Sequence, residues 1–316
     1  TAPIALTASH LNFNGNGTIA TTTVTGDTNS TVEVYGTITS LTVTGAARVG
    51  LWGATVHDGA LTLDPSRILY VDATSALSHV TLNSGLDLEG YQTLFITNGL
   101  TLNSTLFVGA SSDGGTWGQI YFSGTQTIDG TGDIVFGGNV YDNTLWINTP
   151  ATTVTVGSGV TIHGAHGYLH PTFNDSSFLN LGTIVSDAGG RIDIGTRADG
   201  SYGNAGSLVN QGTLAASHNG LLYVHTDTWN NTGPVSATTG GNVTLIQQGT
   251  NSGSLTANGG IIALDGNWTN SGLITASNTG LVSLYNGANT GTISATNSTV
   301  NFGETWSESG NTLVGN

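Results

Sequence analysis

A unit of about twenty residues, opening Asn-x-Gly-x-(Leu/Ile/Val), recurs through the second half of the chain and sets the strongest limit on its fold. It starts at Asn180, Asn210, Asn231, Asn251, Asn270 and Asn289, with Gly212, Gly233, Gly253, Gly272 and Gly291 as the paired glycines of the last five. The starts are 30, 21, 20, 19 and 19 residues apart, and a degenerate seventh copy begins at Glu308. Aligned copies place Ile184, Leu214, Val235, Leu255, Ile274 and Ile293 in one column. Two residues on comes a column of small residues: Ser186, Ala216, Ala237, Ala257, Ala276 and Ala295. A second alternating apolar pair follows in each copy, such as Leu222/Val224 and Ile262/Leu264. Alternation marks half-buried strands, and the Gly, Asn, Thr and Ser between them are corner residues.

A period near 20 with short strands and Gly/Asn corners is a solenoid signature. Leucine-rich repeats would need Leu-x-x-Leu-x-Leu spacing with a helical segment, and a propeller blade needs about 40 residues. The expected fold is therefore all-β: a parallel β-helix of roughly 16 coils, about 75 Å long at a coil spacing of about 4.8 Å. The first half uses the same grammar at Thr55 to Leu63, Thr81 to Leu88, Ile96 to Leu102 and Thr155 to Ile162. Its corner glycines Gly59 and Gly85 are 26 apart, and Gly132 and Gly159 are 27 apart, which predicts wider coils there. Three segments of one continuous solenoid follow: 1–162 irregular and wider, 163–179 a loop insertion containing Pro171, and 180–316 regular coils of about 19–21 residues. A second insertion, Thr196 to Gly206, accounts for the 30-residue spacing.

Composition removes whole classes of function. Four arginines and no lysine stand against 19 acidic residues, a formal charge of −15, too little positive potential for nucleic acid. No cysteine means no disulfide, zinc thiolate or thiol nucleophile. Apolar runs stay near five residues, so no membrane span is expected. With no basic and apolar leader pattern, Thr1 reads as a mature N-terminus or an artificial boundary.

The Asn-x-Gly-x-Ile-x-Ala unit of residues 251–307, with its wider-coiled companion, resembles the right-handed β-helices of filamentous-haemagglutinin-type adhesins and large autotransporter-like bacterial surface proteins. That resemblance implies a right-handed helix and a secreted, extracellular or cell-surface rod serving reach, adhesion or matrix building. It implies an architecture better than an activity.

Candidate sites are few. His163, His166 and His170, three and four residues apart, are the strongest metal candidates. The helix their spacing favours is opposed by local Gly, Pro and Asn, so they read otherwise as exposed loop histidines. An enzyme of the polysaccharide lyase or glycoside hydrolase kind would draw on Asp129, Asp133, Asp187, Asp193 and Arg191. Asp-Gly is also ordinary corner chemistry. No organic cofactor is implied, and calcium at Asp/Asn corners is the cation that would suit. Trp229, Trp268 and Trp306 share a motif two residues before the Asn position and read as a core stack, with sugar stacking the alternative. Trp52, Trp117 and Trp146 fall outside that register and are the better surface candidates. Thr-x-Thr pairs such as Thr42/Thr44 do not recur at the coil period, which argues against ice binding. The expectation is a non-catalytic structural or adhesive rod, with a glycan or cell-surface ligand. Residues Glu308 to Asn316 start a further coil with no cap, so the expectation is that Asn316 continues into further chain or that this open coil docks on another copy end to end.

Overall fold

The computed structural model describes residues 4–14, 22–88, 90–109, 115–138, 142–196, 206–309 and 313–315. Among them there is no helix; the strands stack in parallel as a β-solenoid of about 13 turns. At about 4.8 Å per turn this is a rod of about 60 Å. Each turn has three faces. In one C-terminal turn these are the strands Thr228–Asn231, Pro234–Thr238 and Asn242–Ile246, pairing in register with Gln248–Asn251, Ser254–Asn258 and Ile261–Asp265 of the next.

The core forms because period-two alternation sends one side of every strand inward. The column Ile184, Leu214, Val235, Leu255, Ile274 and Ile293 is at most 2% exposed, and full burial of such a side chain contributes about 1.5–3 kcal/mol. The small column Ala216, Ala237, Ala257 and Ala276 is equally buried. Turns are few because the coils are unequal. On the first face, register partners lie 19 to 21 residues apart from Ile4 to Leu102. They are 28, 28, 24 and 30 apart between Leu102 and Asn210, and 21, 20, 19, 19 and 19 apart beyond it.

Wide coils thus occupy the middle of the rod and not the whole N-terminal half. The Gly59 to Gly85 spacing misled because Gly59 pairs on the first face with Val80, whereas Gly85 pairs on the second face with Ile68.

A second correction concerns the expected loop at 163–179. Residues Thr161–Pro171 are a single strand bent from the second face to the third, and Ser177–Asn180 is a strand of the first. The bend hid the alternation: register shifts between Gly164 and His166, and Gly164 has φ +123. Pro171 is the strand's last residue, in register with Ile147. Of the Thr196 to Gly206 insertion, residues 197–205 lie outside the described residues.

Candidate functional site

The repeating Asn is structural, and the reason is local. Asn210, Asn231, Asn251, Asn270 and Asn289 each start a two-residue corner between the first and second faces. Their side chains, at most 1% exposed, form a ladder along the rod. From Asn180 to Asn289 each Nδ2 donates to the next Oδ1 at 2.6–2.7 Å. From Asn210 on, the other Nδ2 hydrogen goes to the carbonyl of Gly212, Gly233, Gly253, Gly272 or Gly291, two residues ahead, at 2.9–3.2 Å. These glycines are needed because a Cβ at Gly253 or Gly272 would strike the carbonyl of the matching glycine one coil back.

Trp229 and Trp268 are core, 3% and 1% exposed. Their column alternates: Trp229 pairs with Gly249, Gly249 with Trp268, Trp268 with Gly287 and Gly287 with Trp306. Each indole leans over the glycine of the next coil, where a Cβ would meet its ring. There its Nε1 donates to a carbonyl, Trp229 to Ile246 at 3.1 Å and Trp268 to Tyr285 at 2.7 Å. Trp306, half-buried, sits 5.6 Å from Trp268 although two coils separate them.

The candidate carboxylates do not meet in one place. Asp129 is on the first face and Asp133 on the second. Asp187 takes His163 Nδ1 at 3.2 Å and accepts the Gly164 N–H at 3.2 Å. Asp193 accepts Arg191 Nε at 2.6 Å, and that guanidinium lies 4.7 Å over the Tyr223 ring. Of the expected group, only Arg191 and Asp193 pair directly. Asp129 instead lines a corner cleft of about 570 Å³ with Ser40, Asp58, His79 and Asn98. Within it Asp58 bonds His57 at 3.1 Å and His79 at 3.0 Å, and these bonds hold its carboxyl below the usual value.

The three histidines spread along the bent strand. His163 faces Asp187, whereas His170 is buried with Nδ1 2.7 Å from the Tyr168 hydroxyl and 3.1 Å from the Gly195 carbonyl. Burial lowers the pKa of His166 and His170. They are not exposed loop side chains, and among the described residues no three His, Asp or Glu are placed to share a metal.

Two outward aromatic groupings emerge. On the third face Phe95, Tyr121, Trp146 and His170 are successive register partners. Tyr121 and Trp146 lie 6.0 Å apart at 10°, and the Trp146 indole meets the His170 ring edge-on at 4.9 Å. Trp146 therefore has ring neighbours in the coils on both sides. Trp117 is half-buried, edge-on to Tyr91 at 5.5 Å.

The second grouping lies near the N-terminal end. Tyr35 (39% exposed) and Trp52 (37% exposed) stack at 6.0 Å and 23°. Beside them Arg48 Nη1 and Nη2 donate to the two Asp72 oxygens at 2.8 and 2.6 Å, and the guanidinium lies 4.6 Å over the Tyr70 ring. Gly50 makes this possible: the Asp72 carboxylate lies where a Gly50 side chain would begin, with Arg48 Nη1 and Trp52 Nε1 each 3.1 Å from that point. Asp72 raises the Arg48 pKa. Glu33 accepts the Tyr35 hydroxyl at 2.6 Å, holding that phenol proton on above its usual range. The sequence flagged Trp52 but not its partners, because only register brings Tyr35, Tyr70 and Asp72 beside it. Compared with protein-family models, curated proteins and solved structures, the chain matches none of them.

Proposed function

We propose that the chain is a non-catalytic structural and adhesive rod. It would act outside the cell, at a bacterial surface or in its matrix, in the manner of filamentous-haemagglutinin-type adhesins. The observation that carries this reading is the Asn ladder, buried and hydrogen-bonded through six consecutive coils. A side-chain ladder of this kind stiffens a one-dimensional array whose units otherwise hold only to their neighbours. Small-angle scattering, with retention of the chain on cell or polysaccharide surfaces, tests it. A rod about 60 Å long that is retained without releasing product supports it, and a compact or flexible particle defeats it. Light scattering across a concentration series tests whether such rods also join end to end.

The second reading, a polysaccharide-degrading enzyme, is favoured by one feature, the cleft that gathers Asp58, His79 and Asp129. Reducing-end and unsaturated-product assays on acidic and neutral polysaccharides separate the two. Turnover lost in Asp129→Ala would replace the rod reading with the enzyme.

A further inference from the structure

We infer that the surface built by Tyr35, Trp52, Arg48, Asp72 and Tyr70 is a binding site for a neutral glycan. This rests on the adhesive reading above and gives it a place and a ligand class. Exposed aromatic groups on a solenoid are not by themselves a site, and the third-face stack shows why. Trp146 there is met by Tyr121 on one side and His170 on the other. Trp52 differs: Tyr35 covers one side, and its register partner in the following coil is Ala73. The register slips there, which sets Asp72 at the indole edge; among the described residues Tyr35 is the one ring stacked on Trp52, and 37% of the residue remains exposed to a ligand. Among the described residues the Trp52 Nε1–H meets no acceptor, in contrast to the Nε1–H of Trp229 and of Trp268.

The polar half of the site is already ordered. Arg48 is held by two bonds to Asp72 and by the Tyr70 ring beneath it, yet its side chain is 42% exposed. Little side-chain freedom is then lost on binding, which is how preorganised sites gain affinity. An exposed aromatic ring beside fixed donors and carboxylate acceptors fits a pyranose, with C–H groups on one side and hydroxyls at the rim. Trp, Tyr and Arg are also the side chains on which binding energy concentrates.

Charge decides between glycan classes. Arg48 is neutralised by Asp72, Glu33 lies alongside, and the chain as a whole carries −15. A uronate polymer would be repelled, whereas a neutral one would not.

The test uses the whole chain with a panel of neutral oligosaccharides (glucans, mannans, galactans and chitin oligomers) and, separately, uronate oligomers, followed by calorimetry and tryptophan fluorescence. The expected result is binding of at least one neutral oligosaccharide, weakened tenfold or more in Trp52→Ala and in Arg48→Gln and unchanged in Tyr91→Ala. Scattering and circular dichroism confirm that each variant keeps the rod. Binding of no neutral oligosaccharide, binding of uronates alone, binding that survives both site substitutions, or equal loss in Tyr91→Ala would each overturn the inference. A retained rod without glycan binding would remove this site and leave the rod reading standing.

Discussion

The C-terminal coils from Asn210 and the wide coils before it use the same three faces but close their corners differently. After Asn210 the first face ends in a two-residue corner, bridged by one side chain that bonds forward along its own chain and upward to the next coil. Before Asn180 the same register position is Val156, and residues 157–160 make a four-residue corner closed by the Val160 N–H donating to the Gly157 carbonyl. Other N-terminal corners rely on single devices, such as Ser84 Oγ accepting the Leu63 N–H or Asn143 bonding the Gly137 and His166 carbonyls. A tight corner that needs a particular side chain imposes that residue on every coil, whereas a looser one can be closed in several ways.

Tryptophan offers the sharpest way to break the comparison. Trp229 fills two coil heights of core above Gly249, so Trp229→Ala should cost about 4 kcal/mol, near the usual loss for a buried indole. Trp52 is exposed, and Trp52→Ala should change stability by less than about 0.5 kcal/mol. Urea unfolding followed by circular dichroism measures both; similar losses would mean that Trp52 is a core residue of its region.

The ladder comes next. Asn251→Ala strands the Oδ1-directed hydrogen of Asn231 and the carbonyl of Gly253, and removes the donor to Asn270. Leaving such buried groups unpaired costs about 1–3 kcal/mol each, and a net loss of about 3 kcal/mol is expected after relaxation. Asn103 also bonds an asparagine one coil away, Asn83 Oδ1 at 3.0 Å, but in solvent. Asn103→Ala should therefore fall within about 0.5 kcal/mol of the parent. If the two substitutions prove equal, burial is not what gives the C-terminal ladder its strength.

These same contrasts explain what the sequence made legible. Asn and Gly were readable as a solenoid repeat because corner geometry admits few alternatives, and the Trp motif was readable as core for the same reason. That the indoles occupy every second coil, with Gly249 and Gly287 between them, was also present in the sequence, but a single-coil period does not look for it. The Phe95, Tyr121, Trp146 and His170 stack was hidden because its steps follow the varying widths of the middle coils. The Tyr35 and Trp52 surface was hidden because its members lie on separate coils, with nothing in any one segment to join them. The bent strand through His163 and His170 was mistaken for a loop because Gly164 and Gly167 interrupt its alternation at the face change.

Acid separates the two regions in a different way. Burial lowers the pKa of His166 and His170, and of His225 at the border, below the ordinary value. As pH falls from about 6.5, the unfolded chain takes up protons that these folded imidazoles refuse, so stability drops until their folded values are passed. No histidine follows His225 in the sequence. Hydrogen exchange at pH 7 and pH 5 should show protection falling around residues 161–195 while Asn231 to Asn289 keeps its protection. Uniform loss along the rod would place the acid sensitivity elsewhere.

The smallest effect expected bears on why the ladder stops at Asn180. Its Oδ1 is buried without a donor, and the residue beneath it in register is Val156. Were the missing donor the whole story, Val156→Asn would add a rung and stabilise the rod. Corner length predicts the opposite. In the C-terminal coils the second Nδ2 hydrogen finds the carbonyl two residues ahead because only two residues separate the strands. At 156 four residues intervene before Thr161, so that carbonyl is not brought to the same place. The new Oδ1 would in turn face Ile128, which has nothing to donate. One orphan acceptor is satisfied while an acceptor and an N–H are newly stranded, for a net loss of about 1 kcal/mol. Urea unfolding of Val156→Asn beside the parent measures it, and a gain in stability would show that the ladder ends for want of an asparagine and not because the corner widens.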